Sequence, residues 1–224
     1  MSSIVAIINQ RELAGDYTYT EADWNNFAEP LVERLGKDTP SGAIYAASKT
    51  AAERAVWKFR EEHKPKFTVT VLNPCLVAGP PLVTPESQKH IGETYQLPAD
   101  VYLGKKLEES GLPTASAGYV DVRDVARLVI FGVEHPEKAD GERFILAAAA
   151  APAQTVADIL REKYPERRGI IQEGTPGVGY EKGYKFPKRL VYDGSKAVKF
   201  TGQEYIPWDK TVVDTIEKLR PILD

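Results

Sequence analysis

The chain has 224 residues, 42% of them hydrophobic and 27% charged, enough for one substantial domain with a large core. Its 29 Lys and Arg against 32 Asp and Glu leave a formal charge of −3, and no basic stripe is interleaved with aromatic residues, which argues against a nucleic-acid partner. One cysteine (Cys75), three scattered histidines and no apolar run of about 18 residues point away from a disulfide, a structural metal and a membrane span, so the expected compartment is the cytoplasm.

Met1–Ile8 is a short, β-branched, apolar run that reads as a buried parallel strand, with Ser2 and Ser3 near its start. Gly15-Asp16 opens a loop that carries Glu21-Ala-Asp23-Trp24-Asn25, in which Trp24 is expected to anchor the loop in the core rather than to wall a pocket. Residues 29–39 are charged and read as a short solvated helix or loop leading to an N-cap at Ser41.

Ser41–Phe59 is alanine-rich and reads as a helix with Ile44, Ala47, Ala51, Ala55 and Phe59 along its apolar stripe. Positions four apart stack on a helix, so Lys49 lies near the Tyr45 phenol. A phenol titrates near pH 10, and a neighbouring cation favours its phenolate, which is what a tyrosine needs to exchange protons at neutral pH. The same spacing occurs at Tyr102/Lys106, Tyr184/Lys188 and Tyr192/Lys196, but those copies enclose Gly104, Pro187 and Asp193-Gly194, respectively. Breakers of that kind leave Tyr45/Lys49 as the copy set in a sustained helical pattern.

Downstream, Pro65 ends the helix and Phe67–Leu72 reads as a strand, followed by the loop Asn73-Pro-Cys-Leu-Val-Ala-Gly-Pro80-Pro81. A loop after a strand's carboxyl end is where open α/β sheets bind ligands. Cys75 there reads as a packed small residue. Residues 82–117 hold several breakers and suit loops and short helices. In Tyr119-Val-Asp-Val-Arg-Asp-Val-Ala126, Asp121 and Asp124 are expected to cap and to form a salt link to Arg123 or elsewhere rather than to do acid/base work. Gly141–Leu146 reads as a strand, Thr155–Arg161 as a capped helix, the glycine-rich stretch 174–179 as a loop, and Trp208–Leu219 as a terminal helix.

Tyr45-Ala-Ala-Ser-Lys49-Thr-Ala-Ala-Glu53 with Trp57 and Phe59, the Glu-x-Asp-Trp-Asn loop, the Pro74 loop, the Tyr119–Ala126 segment and the closing Asp193-Gly-Ser-Lys-Ala together resemble the extended short-chain dehydrogenase/reductase family of the NAD-dependent epimerase/dehydratase superfamily. The likeness is to its dihydroflavonol reductase, cinnamoyl-CoA reductase and fungal aldehyde/ketone reductase branch, and runs from residue 2 almost to the end.

The resemblance implies an α/β fold: a partial Rossmann-like, doubly wound parallel sheet with a smaller C-terminal substrate lobe. It implies a single domain over 1–224, with 1–80 and 119–150 mainly Rossmann-like and 81–118 and 151–224 mainly substrate lobe. It implies NAD(P)-dependent reduction of an aldehyde or ketone, with Ser3, Tyr45 and Lys49 catalytic, Tyr45 and Lys49 also at the cofactor, Pro74 and Val77 beside the nicotinamide, and no metal. NADPH is favoured over NADH. The family's glycine-rich phosphate loop precedes the serine strand, so the chain is expected to match the C-terminal portion of such an enzyme. That leaves two alternatives open: a working reductase, with a small carbonyl substrate and self-association through uncovered sheet or helix surface, or a catalytically silent relative that binds a partner.

Overall fold

The computed structural model describes residues 1–9, 17–105, 118–186 and 191–224. Its helices are α1 (Ala28–Leu35), α2 (Ser41–His63), α3 (Glu93–Tyr102), α4 (Val122–Glu134), α5 (Pro136–Ala139), α6 (Ala153–Lys163), α7 (Ser195–Thr201) and α8 (Trp208–Leu223). Its strands are β1 (Val71–Pro74), β2 (Leu76–Ala78), β3 (Tyr119–Asp121) and β4 (Arg143–Leu146). Lys106–Ala117, which include the lysine of the Tyr102/Lys106 copy, and 187–190, which include Pro187 and Lys188, lie outside the described residues.

The chain divides into two compact units. The first comprises Met1–Cys75, Val125–Ala147 and Val191–Glu204, and the second Leu76–Asp124, Ala148–Leu190 and Tyr205–Asp224. Each contains a parallel strand pair, as an α/β fold requires: β1 with β4 in the first, Val71 opposite Arg143, and β2 with β3 in the second, Leu76 opposite Tyr119.

In the first unit all four residues of β1 and of β4 are buried. Phe144 of β4 packs edge-on against Phe200 of α7 at 4.9 Å. Asp193 accepts from the Ser195 amide to start α7, and Gly194 is required there because a Cβ would sit 2.4 Å from the Ala147 carbonyl oxygen. The apolar run expected to form a strand behaves otherwise. Only its first residues lie along β1, with the Ser2 amide donating to the Leu72 carbonyl at 2.8 Å, and Ile4–Ala6 wind into a 3-10 turn. Ser3 starts that turn with its own Oγ, and Asn25 closes it to further pairing, its side-chain amide donating to the Val5 carbonyl and its backbone amide to the Ala6 carbonyl, each at 2.8 Å. Local side-chain bonds of this kind outcompete a ladder that has few rungs.

Helix α2 runs four residues beyond the expected end and stops where Lys64 takes a left-handed conformation, φ 44°, ahead of Pro65. Pro40 rather than Ser41 is its N-cap. Its buried face is also rotated from the expected stripe: Ala46, Ala47, Thr50 and Glu53 are buried, while Ile44, Ala51, Ala55 and Phe59 are exposed. Two polar residues can occupy a buried face because both are satisfied, Thr50 by the Ala46 carbonyl at 2.8 Å and Glu53 by partners on β1 and β4.

The second unit packs α3, α6 and α8 around Leu97, Val101, Tyr102, Val156, Leu160, Ile216 and Leu219. Trp208 begins α8, donates its indole N–H to Thr155 Oγ1 at 2.8 Å and lies 4.5 Å from the Tyr119 ring. Asp121 at the end of β3 caps α4 by accepting from the Arg123 amide, and its carboxylate takes two further bonds from the Arg123 guanidinium and one from Thr211. Asp124 accepts from the Ile206 amide. Both aspartates therefore hold structure, as the sequence led us to expect.

Candidate active site

Helix α2 places Tyr45 and Lys49 on successive turns, and the 3-10 turn that begins at Ser3 packs against it through Val5 on Ala46 and Ala47, next to Tyr45 in the chain. The Tyr45 side chain is 51% exposed, and its hydroxyl has no hydrogen-bond partner among the described residues. The Lys49 ammonium donates to the Met1 carbonyl at 3.3 Å, two residues before Ser3. The structure therefore brings Lys49 to the Ser3 segment and leaves the Tyr45 phenol open to solvent.

Ser3 is buried; its Oγ accepts from the Val5 amide at 3.5 Å, a long bond that leaves the hydroxyl proton uncommitted. Pro74 closes β1 in the same unit, whereas Val77 lies in β2 of the second unit. A cavity of about 140 Å³ opens beside Lys49, with Ser2, Glu53 and Thr70 in its lining.

The tyrosines of the other Tyr/Lys spacings are committed elsewhere. Tyr192 is buried, and burial, with Cys75 beside it, pushes its phenol well above the ordinary range; Lys196 pairs with Glu142 at 2.6 Å. Tyr102 is raised by burial and by its bond to Asp224, and Tyr184 by burial and by its bond to Glu162. A raised tyrosine bonded to a carboxylate is a structural donor and a poor proton source.

Sequence reasoning did not single out the buried polar group behind this face. Glu53, one turn beyond Lys49, accepts from Arg143 Nε at 2.6 Å and from Asn73 Nδ2 at 2.7 Å. Asn73 also donates to the Ser3 carbonyl at 3.1 Å. Arg143 donates to the Glu21 and Asp23 carbonyls and stacks 4.0 Å over Trp24, which is half-buried against this guanidinium rather than set in the core. The available signal was a glutamate at i+8 from Tyr45 on one helix face, but its partners are 20 and 90 residues away in sequence.

Among the described residues no helix is long and apolar enough to cross a membrane, and no cluster of potential metal ligands occurs.

A parallel α/β scaffold with a Tyr-x-x-x-Lys helix beside a serine turn has the form of a nucleotide-dependent dehydrogenase or epimerase, and the chain belongs to the NAD dependent epimerase/dehydratase family, which matches residues 25–147. Among its relatives is the NADPH-dependent methylglyoxal reductase of Saccharomyces cerevisiae, 31% identical over 221 residues, covering 97% of this chain and 61% of the relative. The ketoreductase azaE of Aspergillus niger is 32% identical over 219 residues, covering 97% and 60%. The crystal structure of Gre2 from Candida albicans in complex with NADPH is similar to this chain with a TM-score of 0.79 at 27% identity, covering 99% of this chain and 63% of that one. The chain thus spans about three fifths of the length of these relatives.

Proposed function

We propose that the chain carries the catalytic face of an NADPH-dependent carbonyl reductase acting on a small aldehyde or ketone. The observation that carries this reading is the Tyr45 hydroxyl, exposed and uncommitted, on the helix that also holds Lys49 against the Ser3 segment. The donor set fits a dinucleotide's nicotinamide half. An ammonium whose hydrogen bond is a long one to a backbone carbonyl can turn to ribose hydroxyls, and an uncommitted hydroxyl can meet a carbonyl oxygen.

When bound, the cofactor supplies a hydride to the carbonyl carbon. Tyr45 gives its proton to the oxygen on which negative charge develops, the Ser3 hydroxyl donates to that same oxygen, and Lys49 adds positive charge while holding the ribose. Pro74, at the end of β1 in the same unit, would lie beside the nicotinamide ring. The likeness to relatives named for methylglyoxal and ketone reduction supports this assignment. We further propose that the apolar residues exposed in the first unit, Ile44, Val56 and Phe59 on α2 and Val129, Ile130 and Val133 on α4, support self-association.

Titration calorimetry of the 224-residue chain with NADPH and with NADH, followed by NADPH consumption with methylglyoxal, tests the reading. Micromolar binding of NADPH and turnover that vanishes in Tyr45→Phe are expected. Absence of cofactor binding would refute it for this chain.

A further inference from the structure

We propose that Asn73, held by Glu53, is a positioning residue for Ser3 and so fixes the spacing between Ser3 and the helix that carries Tyr45. The proposal deepens the reductase reading and rests on it, because Ser3 matters to the chemistry only if it meets the carbonyl oxygen.

The side chain of Asn73 is fully buried, and its Nδ2 faces two acceptors, the Ser3 carbonyl at 3.1 Å and Glu53 Oε2 at 2.7 Å. An amide nitrogen has two hydrogens, so both acceptors are served and the opposite amide orientation would set oxygen against oxygen. The Oδ1 atom remains without a hydrogen-bond partner among the described residues, so the orientation is kept at the expense of one buried acceptor. Glu53 is itself fixed, with Oε1 taking the Arg143 Nε bond at 2.6 Å and a longer one from Trp57 Nε1 at 3.4 Å. The side chain of Glu53 is fully buried and that of Arg143 nearly so.

Two links therefore join α2 to the serine segment. The outer one, from the Lys49 ammonium to the Met1 carbonyl, uses a group that the reaction needs elsewhere, and it is released when Lys49 engages the ribose. The inner one, from Glu53 through Asn73 to the Ser3 carbonyl, uses no reacting group and persists. The Ser3 carbonyl also accepts from the Ala6 amide at 3.0 Å, so the inner link grips the residue that starts the turn. Ser3 then keeps its place relative to Tyr45 while Lys49 changes partner, and an error of about 1 Å there costs on the order of a hundredfold in rate.

The test uses the full chain and compares Asn73→Ser with Asn73→Ala, the serine being the milder change should the alanine variant fold poorly. With methylglyoxal and NADPH, Asn73→Ser is expected to lower kcat about tenfold or more while leaving the KM for NADPH within about twofold. In a Ser3→Ala background the same substitution should change kcat by less than about twofold, since its effect passes through Ser3. Equal losses in both backgrounds would overturn the proposal. Amide hydrogen exchange at Ala6 supplies a readout that needs no turnover: protection should fall about tenfold or more in folded Asn73→Ser, and unchanged protection overturns the proposal as well. If the wild-type chain reduces no carbonyl compound, the reductase reading falls by itself, and Ala6 exchange alone decides whether Asn73 sets the Ser3 backbone.

Discussion

Arg143 and Glu53 form a buried ion pair at 2.6 Å, joining the first residue of β4 to the fourth turn of α2 from residues 90 apart in sequence. Arg143 also donates to the Glu21 and Asp23 carbonyls, so one guanidinium ties strand, helix and the Trp24 loop together.

Removing one partner of this pair leaves the other charge buried and uncompensated. Arg143→Ala is therefore expected to cost about 3–5 kcal/mol, more than an exposed ion pair would. Replacing both, Glu53→Leu with Arg143→Met, should cost less than the single change, because no stranded charge remains. Urea denaturation of the three proteins checks this, and a single-variant loss below about 1 kcal/mol would mean that water reaches the pair.

Tyr45→Phe separates chemistry from folding. The hydroxyl has no partner among the described residues and the side chain is half exposed, so unfolding stability should change by no more than about 0.5 kcal/mol. Loss of a general acid should lower the rate of carbonyl reduction by about 10²–10⁴-fold. Activity retained within threefold, measured as NADPH consumption, would assign the proton to another group.

The helix bearing Tyr45 and Lys49 was legible in the sequence because alanine-rich, breaker-free stretches have local causes. Its buried face was not. The pattern of apolar residues put Ile44 and Phe59 inward, yet the structure buries Thr50 and Glu53, whose partners Asn73 and Arg143 are brought in by strand pairing. Burial of a charged residue depends on who satisfies it, and periodicity carries no record of that. The run Met1–Ile8 shows the converse. Its β-branched residues favour a strand, but Ser3 and Asn25 supply side-chain bonds that close a turn instead. The strand expected at Phe67–Leu72 lies further on, at Val71–Pro74, with Phe67 exposed.

Gly79 has φ +112°, and a Cβ there would stand 3.0 Å from both carboxylate oxygens of Asp121. Gly79→Ala would force a conformation that L-residues avoid and press a methyl group into the carboxylate that caps α4, an expected cost of about 1–3 kcal/mol. Thermal unfolding reports this as a fall of about 2–4 °C for each kcal/mol in a chain of this length. An unchanged midpoint would show that the backbone can relax away from Asp121.

Acid should unfold the second unit through the Asp121, Arg123 and Asp214 cluster. Burial raises the Asp121 pKa, but hydrogen bonds from Arg123 and Thr211, with the guanidinium's charge, overcome it and hold the carboxyl below its ordinary value. Asp214 follows the same balance, burial opposed by bonds from Lys210 and Arg123. A group whose folded pKa is depressed binds fewer protons folded than unfolded, so its contribution to stability is complete above its unfolded pKa of about 4 and is lost as pH falls through the folded value. Stability should accordingly be flat in these groups at neutral pH and decline below about pH 4. Asp121→Asn loses that contribution at neutral pH and, having no carboxylate to protonate, should show a shallower acid limb, whereas Asp140→Asn, on the exposed surface and paired with Arg60, should change it far less. Denaturation midpoints taken across the acid range decide the matter: identical slopes for wild type and Asp121→Asn would remove this cluster from the acid transition.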